Sequence, residues 1–198
     1  MIKTRTMKIA VIIGSIREIR RGGRVAKWLL PQLLKRKDIE VELLDLKDYP
    51  LPFFNESNSP EGLEGNYTNK LAKKWAAKIG EADGFIIITP EYNHGTSGVL
   101  KNALDWVYYE WNRKPVAFIS YSPNAAGGVR AVEQLRQNSI ELQMAPISTS
   151  IHITYILDTL SENGNLLKGH FNERLEELMI DLLWWAGVLK IGRGKSEK

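Results

Sequence analysis

The chain has 198 residues, 43% of them hydrophobic and 25% charged, with a net charge of +4; this is enough apolar material for one sizeable α/β domain, expected over residues 1–198. It contains no cysteine, which excludes a disulfide framework, a thiolate metal site and a thiol nucleophile. The basic residues are dispersed apart from residues 17–24 and a solvated tail expected at about 191–198, the apolar runs are too short for a bilayer, and "MIKTRTMK" lacks the apolar core of a signal peptide; the expectation is a cytoplasmic protein without nucleic-acid or membrane partners.

"MKIAVIIG" at 7–14 is short, apolar and rich in Ile and Val, as a buried strand requires, and Val25, Trp28, Leu29 and Leu33 follow at helical spacing. Pro31 removes a backbone donor inside that helix, so a kink or break is expected there. "IEVELLDL" at 39–46 reads as a second strand, followed by a long proline-containing loop at 49–66. Leu71, Trp75 and Ile79 mark a second helix ending near Gly80, and "DGFIIIT" at 83–89 is a third strand. Val99, Leu100, Ala103, Leu104, Val107 and Trp111 recur as one helix, "KPVAFISY" at 114–121 is strand four, and Val129, Val132 and Leu135 begin the next helix. "APISTSIHI" at 145–153 is strand five; "SENGNL" holds an Asn-Gly turn, and Phe171 to Leu189 form the closing helix. Strands alternating with helices imply right-handed crossovers and a parallel sheet covered on both faces, a three-layer α/β sandwich of order 2-1-3-4-5. Such a sheet binds its ligand beyond the carboxyl ends of the strands, at the switch point between strands one and three.

Three loops lie at that edge. The first, "GSIREIRRGGR" at 14–24, combines small residues, a helix start and arginines. Ser15 offers a hydroxyl, Gly22 and Gly23 let backbone N–H groups turn toward an anion, and Arg17, Arg21 and Arg24 can neutralise a phosphate. The pattern is neither G-x-G-x-x-G nor a P-loop, which disfavours Rossmann-type dinucleotide binding and nucleotide hydrolysis; a plain Gly-rich turn with surface arginines remains the alternative. In the second loop Pro90 fixes the strand exit, Glu91, Tyr92 and Asn93 can border a flat heterocycle, and Gly95 and Gly98 allow close approach. His94 is read as a surface or hydrogen-bonding residue, and Lys101 with Asp105 as a helix ion pair. The third loop, "SYSPNAAGGVR", presents Ser120, Ser122, Asn124, Gly127 and Gly128; alone it reads equally as a turn and helix cap.

Together "GSIR" with "RRGGRVAKW", "PEYNHGTSGVLKNALDW" and "GGVRAVEQLR" resemble the NADPH-dependent FMN reductase family, the flavodoxin-like quinone, azo and chromate reductases, over roughly residues 7–190. The resemblance implies a flavodoxin-like fold with FMN as cofactor. Its phosphate would lie at Ser15, Arg17 and the stretch Arg21, Gly22, Gly23, Arg24 and Val25, its ring beside Pro90, Glu91, Tyr92 and Asn93, and its pyrimidine end near Ser120, Ser122, Gly127 and Gly128. Where many relatives carry a hydroxyl residue this chain has Gly22 and Gly23, so a backbone N–H replaces that donor; Ser97 stands where many have proline.

The same resemblance implies that NADPH or NADH delivers hydride to the flavin, which reduces a small acceptor such as a quinone in a ping-pong scheme, and that the protein is a homodimer or tetramer with flavin sites near the interface. Trp106, Tyr108, Tyr109 and Trp111 supply more aromatic surface than one helix face needs for a core, which fits association, while ordinary core packing explains some of them equally well; the 50–66 loop is expected to border the partner's flavin. Two other readings stay open at this point: a flavin-binding electron carrier, which the basic composition argues against, and a regulatory protein that keeps the fold without FMN.

Overall fold

Strands β1 (Met7–Ile13), β2 (Ile39–Asp45), β3 (Gly84–Pro90), β4 (Pro115–Tyr121) and β5 (Ala145–Ile153) form one parallel sheet of order β2-β1-β3-β4-β5 in a computed structural model, which describes residues 6–196. The order and all five strands match the expectation. Every residue of β3 and β4 is buried, because both faces of the sheet's centre are covered. Side chains alternate across the sheet, so Ile9, Val11 and Ile13 enter one core while Ala10 and Ile12 enter the other.

Helices α1 (Gly22–Leu33) and α6 (Phe171–Ser196) cover the first face, with Leu29 and Leu182 packed against Ile86 and Ile88. On the second face lie α2 (Lys70–Glu81), α3 (Gly98–Asp105) and α4 (Val129–Glu141), whose Trp75, Leu104 and Leu135 meet Phe85 and Phe118. A single turn, α5 (Ile156–Thr159), follows β5. Pro31 sits in the last turn of α1, which ends at Leu33. Buried Lys114 donates from Nζ to the carbonyls of Ile79 (2.8 Å) and Gly80 (2.9 Å), satisfying acceptors that the end of α2 leaves open.

Two expectations are corrected. The helix expected from Val99 through Trp111 stops at Asp105; the chain leaves helical geometry at Tyr108 (φ −127°, ψ −63°) and re-forms a 3-10 turn at Tyr109–Trp111. This swing carries Trp111 beneath the sheet, edge-on to Phe85 at 4.8 Å and to Trp75 at 6.1 Å, a position a straight helix would not reach. Trp106, Tyr108 and Trp111 are accordingly core residues, and only Tyr109, 46% exposed, is left of the aromatic surface expected to drive association. At the other end, residues 191–196 continue α6 as helix rather than forming a separate tail, still exposed at Ile191, Gly192 and Gly194, with Lys190 Nζ (2.5 Å) and Arg193 (3.2 Å) both donating to Asp83; Glu197 and Lys198 lie outside the described residues.

Candidate active site at the strand ends

The first loop leaves β1 at Gly14, whose N–H donates to Ile88 O on β3 (2.8 Å). A Cβ there would stand 2.8 Å from a methyl of Leu100 and 3.0 Å from the Ile88 carbonyl oxygen, so the close approach of α3 and β3 favours glycine. Ser97 joins the same point from the other side: its hydroxyl donates to Gly14 O (2.5 Å) and accepts from Leu100 N–H (3.3 Å), which caps α3. Buried Ser15 shares a hydrogen bond of 3.0 Å with the Tyr92 hydroxyl. Arg20 donates to Ser15 O (2.9 Å) and forms a two-bond ion pair with Asp45 at the end of β2. Burial works against the Asp45 carboxylate, but Arg20 and the Lys47 N–H together hold it below its usual range. Arg20 thus pins the first loop to the sheet, a role sequence reasoning passed over because Arg20 stands in a run of equivalent arginines.

The second loop is a tight turn in which Tyr92 and Gly95 exchange both backbone hydrogen bonds (2.8 and 2.9 Å), with Asn93 (φ 49°) and His94 (φ 64°) in left-handed geometry at its exposed tip. Glu91 turns away from that tip. Its carboxylate accepts the Arg130 N–H (3.1 Å) and pairs with the Arg130 guanidinium, so it caps the start of α4, where Gly128 provides no side-chain cap. Lys101 Nζ donates to both Asp105 oxygens at 2.7 Å, a partly exposed pair along α3.

The third loop is largely occupied with its own folding. Fully buried Ser120 donates to Gly127 O (2.7 Å) and meets His152 Nδ1 (2.7 Å), while Ser122 donates to Asn124 (2.8 Å). Gly127 (φ 61°) and Gly128 (φ 84°) lie against β4 and β5, where a Cβ on Gly128 would stand 2.8 Å from that of Ser120. The residue of this strand end that does reach the first loop is Tyr121, which the sequence reading had treated only as strand. Its hydroxyl would be 3.0 Å from a Cβ at Gly22. Burial and the neighbouring Tyr92 push that hydroxyl's pKa up, and contacts from the Gly22 N–H and Ser15 pull it partly back.

Two hollows open between these loops and share Ser15, Arg17 and Tyr92. One of about 150 Å³ is bounded by Ser15, Arg17, Arg21, Pro90, Tyr121 and Pro123, and one of about 430 Å³ by Ile16, Leu51, Phe53, Tyr92 and Val99. The wall made by Leu51 and Phe53 belongs to the 49–66 loop and is fixed from α3: Asn102 accepts the Phe54 N–H (3.0 Å) and donates to Pro52 O (2.9 Å), as does Trp106 Nε1 (2.7 Å). The apparent helix residues Asn102 and Trp106 are therefore site-building residues.

The polar hollow suits a phosphate. α1 opens without a side-chain cap and without an acid in its first turn, and a Cβ at Gly23 would meet nothing within 4 Å. Arg17, which lies 5.9 Å from the Tyr92 ring centre, and Arg21 make no ion pair among the described residues, although both line the hollow. Glu91 also lines the hollow, but its carboxylate is committed to Arg130. Two cations, a helix start and the Ser15 hydroxyl region therefore converge there with no acid paired to them among the described residues, which is the donor set of an anion site. Arg24 is not part of it: it donates to Leu160 O (3.2 Å) and pairs with Glu162 (3.0 Å). Val25 is buried in the core beneath α1.

The sequence model of NADPH-dependent FMN reductase matches residues 7–156. An NAD(P)H-dependent FMN reductase of Schizosaccharomyces pombe is 36% identical over 173 residues, covering 87% of this chain and 86% of its own. A 2-hydroxy-1,4-benzoquinone reductase of a Burkholderia species is 30% identical over 187 residues, 91% of this chain and 96% of its own. Among solved structures, the flavoenzyme NAD(P)H:(acceptor) oxidoreductase FerB of Paracoccus denitrificans superposes with a TM-score of 0.71 at 24% identity, covering 93% of this chain and 98% of its own, which establishes the shared flavodoxin-like fold. With its strand-end loops, its cationic hollow and a family match over most of its length, the chain belongs to the NADPH-dependent FMN reductase family.

Proposed function

We propose that this protein is an FMN-dependent NAD(P)H oxidoreductase that reduces quinone-like small acceptors, and that the cofactor phosphate is held by Arg17, Arg21, the Ser15 region and the first turn of α1 at Gly22 and Gly23. The observation that carries the reading is the pair of guanidinium groups without ion-pair partners among the described residues, beside the uncapped start of α1. FMN, when bound, supplies the redox chemistry, accepting hydride from a reduced nicotinamide and passing electrons onward. The protein's own work is positional. Arg20 and Asp45 hold the first loop in place, Tyr121 supports Gly22 from below, and Glu91 ties the second loop to α4. Pro90, Tyr92 and Asn93 present the edge against which a flat ring lies, with Tyr92 standing between the two hollows. Ser120, Ser122, Gly127 and Gly128 act by shaping the third loop, and Arg24 and Val25 by seating α1.

The larger hollow has apolar walls and a wide mouth, which suit a flat uncharged ring. One such opening serves the reductant and the acceptor in turn, a ping-pong order, and Arg17 at its rim attracts the phosphates of NADPH. We further propose a single flavodoxin-like domain working in the cytoplasm, where reduced nicotinamides are held, as a homodimer or dimer of dimers with the 50–66 loop close to the partner's flavin. No helix among the described residues is long and apolar enough to cross a membrane. The test is a visible spectrum of the purified protein reconstituted with FMN, before and after anaerobic NADPH. Bleaching of the flavin band, with recovery on adding a quinone, is expected; a protein that takes up FMN but is not reduced would be a carrier, and one that takes up none would end the reading.

A further inference from the structure

Strand β5 sends Ile147, Ile151 and Ile153 into the core under α1 and α6, so Ser150 and His152, two residues apart, share its other face, on the side of α4. Ser120 of β4 is the register partner of His152 and stands beside it on that face. The three side chains form a chain of hydrogen bonds whose direction is fixed by their chemistry.

The Ser120 hydroxyl lies 2.7 Å from the Gly127 carbonyl oxygen and 2.7 Å from His152 Nδ1. A carbonyl oxygen only accepts, so the single hydroxyl proton goes to Gly127, and His152 Nδ1 carries the proton that Ser120 Oγ accepts. Were the hydroxyl proton given to the ring instead, two buried oxygens would face each other with no proton between them. The other ring nitrogen, Nε2, is 2.9 Å from the Ser150 hydroxyl. Burial lowers the ring's pKa; Arg136 on α4 and Arg174 on α6 add to the shift, and Glu133 on α4 opposes it. At neutral pH the ring is therefore uncharged, Nε2 is bare, and it accepts the Ser150 proton. Ser150, His152 and Ser120 all donate in one direction, and the chain ends on the Gly127 carbonyl.

That carbonyl belongs to a peptide that would otherwise turn over easily. Gly127 (φ 61°) and Gly128 (φ 84°) have no Cβ to oppose rotation of the plane between them. A trans peptide directs its N–H opposite to its C=O, so holding the Gly127 oxygen on Ser120 turns the Gly128 N–H away from Ser120. Gly128 is buried, yet that N–H makes no hydrogen bond among the described residues, an unusual state for a buried donor.

We propose that His152, as its Nδ1–H tautomer, is a positioning residue of the flavin site: through Ser120 it locks the Gly127–Gly128 peptide and keeps the Gly128 N–H available to the flavin ring. This role rests on the flavin reading proposed above, whereas the hydrogen-bond chain does not.

The lock is tested first on the flavin-free protein. Long-range ¹H–¹⁵N spectra at neutral pH separate a protonated ring nitrogen from a bare one, and the chain has only three histidines to assign. His152 is expected to carry a proton on Nδ1 and none on Nε2; a proton on Nε2 would overturn the proposal. The second test compares His152→Asn with His152→Gln, with circular dichroism to verify folding. Counted along the side chain, the Asn amide nitrogen stands where Nδ1 does and still donates to Ser120, whereas the Gln nitrogen stands where Nε2 does and leaves Ser120 without its donor. Fluorescence quenching is expected to give His152→Gln roughly three- to tenfold weaker affinity for FMN and for riboflavin alike, the worth of one lost hydrogen bond, and His152→Asn an affinity close to wild type. Wild-type affinity in His152→Gln, or equal losses in the two variants, would reduce His152 to packing and overturn the proposal. A loss confined to FMN would place the effect at the phosphate and do the same. A wild type that binds neither flavin would end the flavin reading and this role with it, while a bare Nε2 would still establish the lock.

Discussion

Lys114 provides a sharp test of how the sheet edge and α2 are held together. Its ammonium is almost completely buried and donates to two carbonyls at the end of α2. Burial pushes its pKa down from 10.5 to about 7, with Arg193 adding to the shift and Asp83 and Glu110 opposing it. The sign follows from proton counting. Between the folded and unfolded values the unfolded chain binds more protons at this site than the native protein does, so stability rises with pH across the window. The contribution is fully present above 10.5 and is lost progressively as pH falls toward 7. At about 1.4 kcal/mol per pH unit, the wild type should gain roughly 4 kcal/mol between pH 7 and about pH 10. The Tyr67 and Tyr121 hydroxyls, whose pKa values burial raises, begin to ionise in the unfolded chain only as pH nears 10, and do so equally in Lys114→Met, so the difference between the two proteins isolates Lys114. The measurement is urea unfolding of wild type and Lys114→Met in unit pH steps, comparing midpoints at constant denaturant slope. Lys114→Met removes the titration and should be nearly flat over the same range. Parallel profiles for the two proteins would show that Lys114 stays charged in the fold and that the reasoning from burial fails.

Other expectations concern the site. Arg17→Ala should weaken FMN binding by roughly ten- to a hundredfold, the worth of one charge-assisted contact of about 1.5–3 kcal/mol, read by quenching of flavin fluorescence; unchanged affinity would remove Arg17 from the phosphate grip. Glu91→Gln should loosen the clamp between the second loop and α4 and lower thermal stability by about 1–2 kcal/mol, because the cap on the Arg130 N–H loses its charge; a stability equal to wild type would make the clamp dispensable. Gly128→Ala combines a left-handed backbone with a Cβ 2.8 Å from that of Ser120, and should destabilise by more than about 1 kcal/mol in the same assay. Deleting the exposed tip of the 50–66 loop should alter acceptor preference in steady-state assays, and identical turnover with every acceptor would detach that loop from the site.

The strands and their order were legible because each is a short Ile- and Val-rich run and each is followed by a helical pattern, a signal that needs no long-range information. The cationic hollow was legible for a similar reason: a glycine pair, a serine and arginines fall next to a helix start. What stayed hidden depended on contacts between distant segments. The period of Val99 to Trp111 is helical, but nothing local says that Trp111 must reach Phe85, so the turn at Tyr108 was invisible. Glu91 and Ser120 stand in the right loops, yet whether a side chain faces the hollow or the scaffold was decided by Arg130 and His152, tens of residues away. Arg20, Tyr121 and Asn102 were missed for the same reason. Each acts by joining the site to a remote piece of chain, and the quoted motif "LKNALDW" was the one local hint for Asn102.

The central claim is that the hollow beside α1 grips the phosphate of FMN. Titrating the purified, flavin-free protein with FMN and with riboflavin, which lacks that phosphate, examines it directly through fluorescence quenching. Binding of FMN at least tenfold tighter than riboflavin, with the difference shrinking in Arg17→Ala, is the predicted result. Equal affinity for the two flavins, or no binding of either, would contradict it.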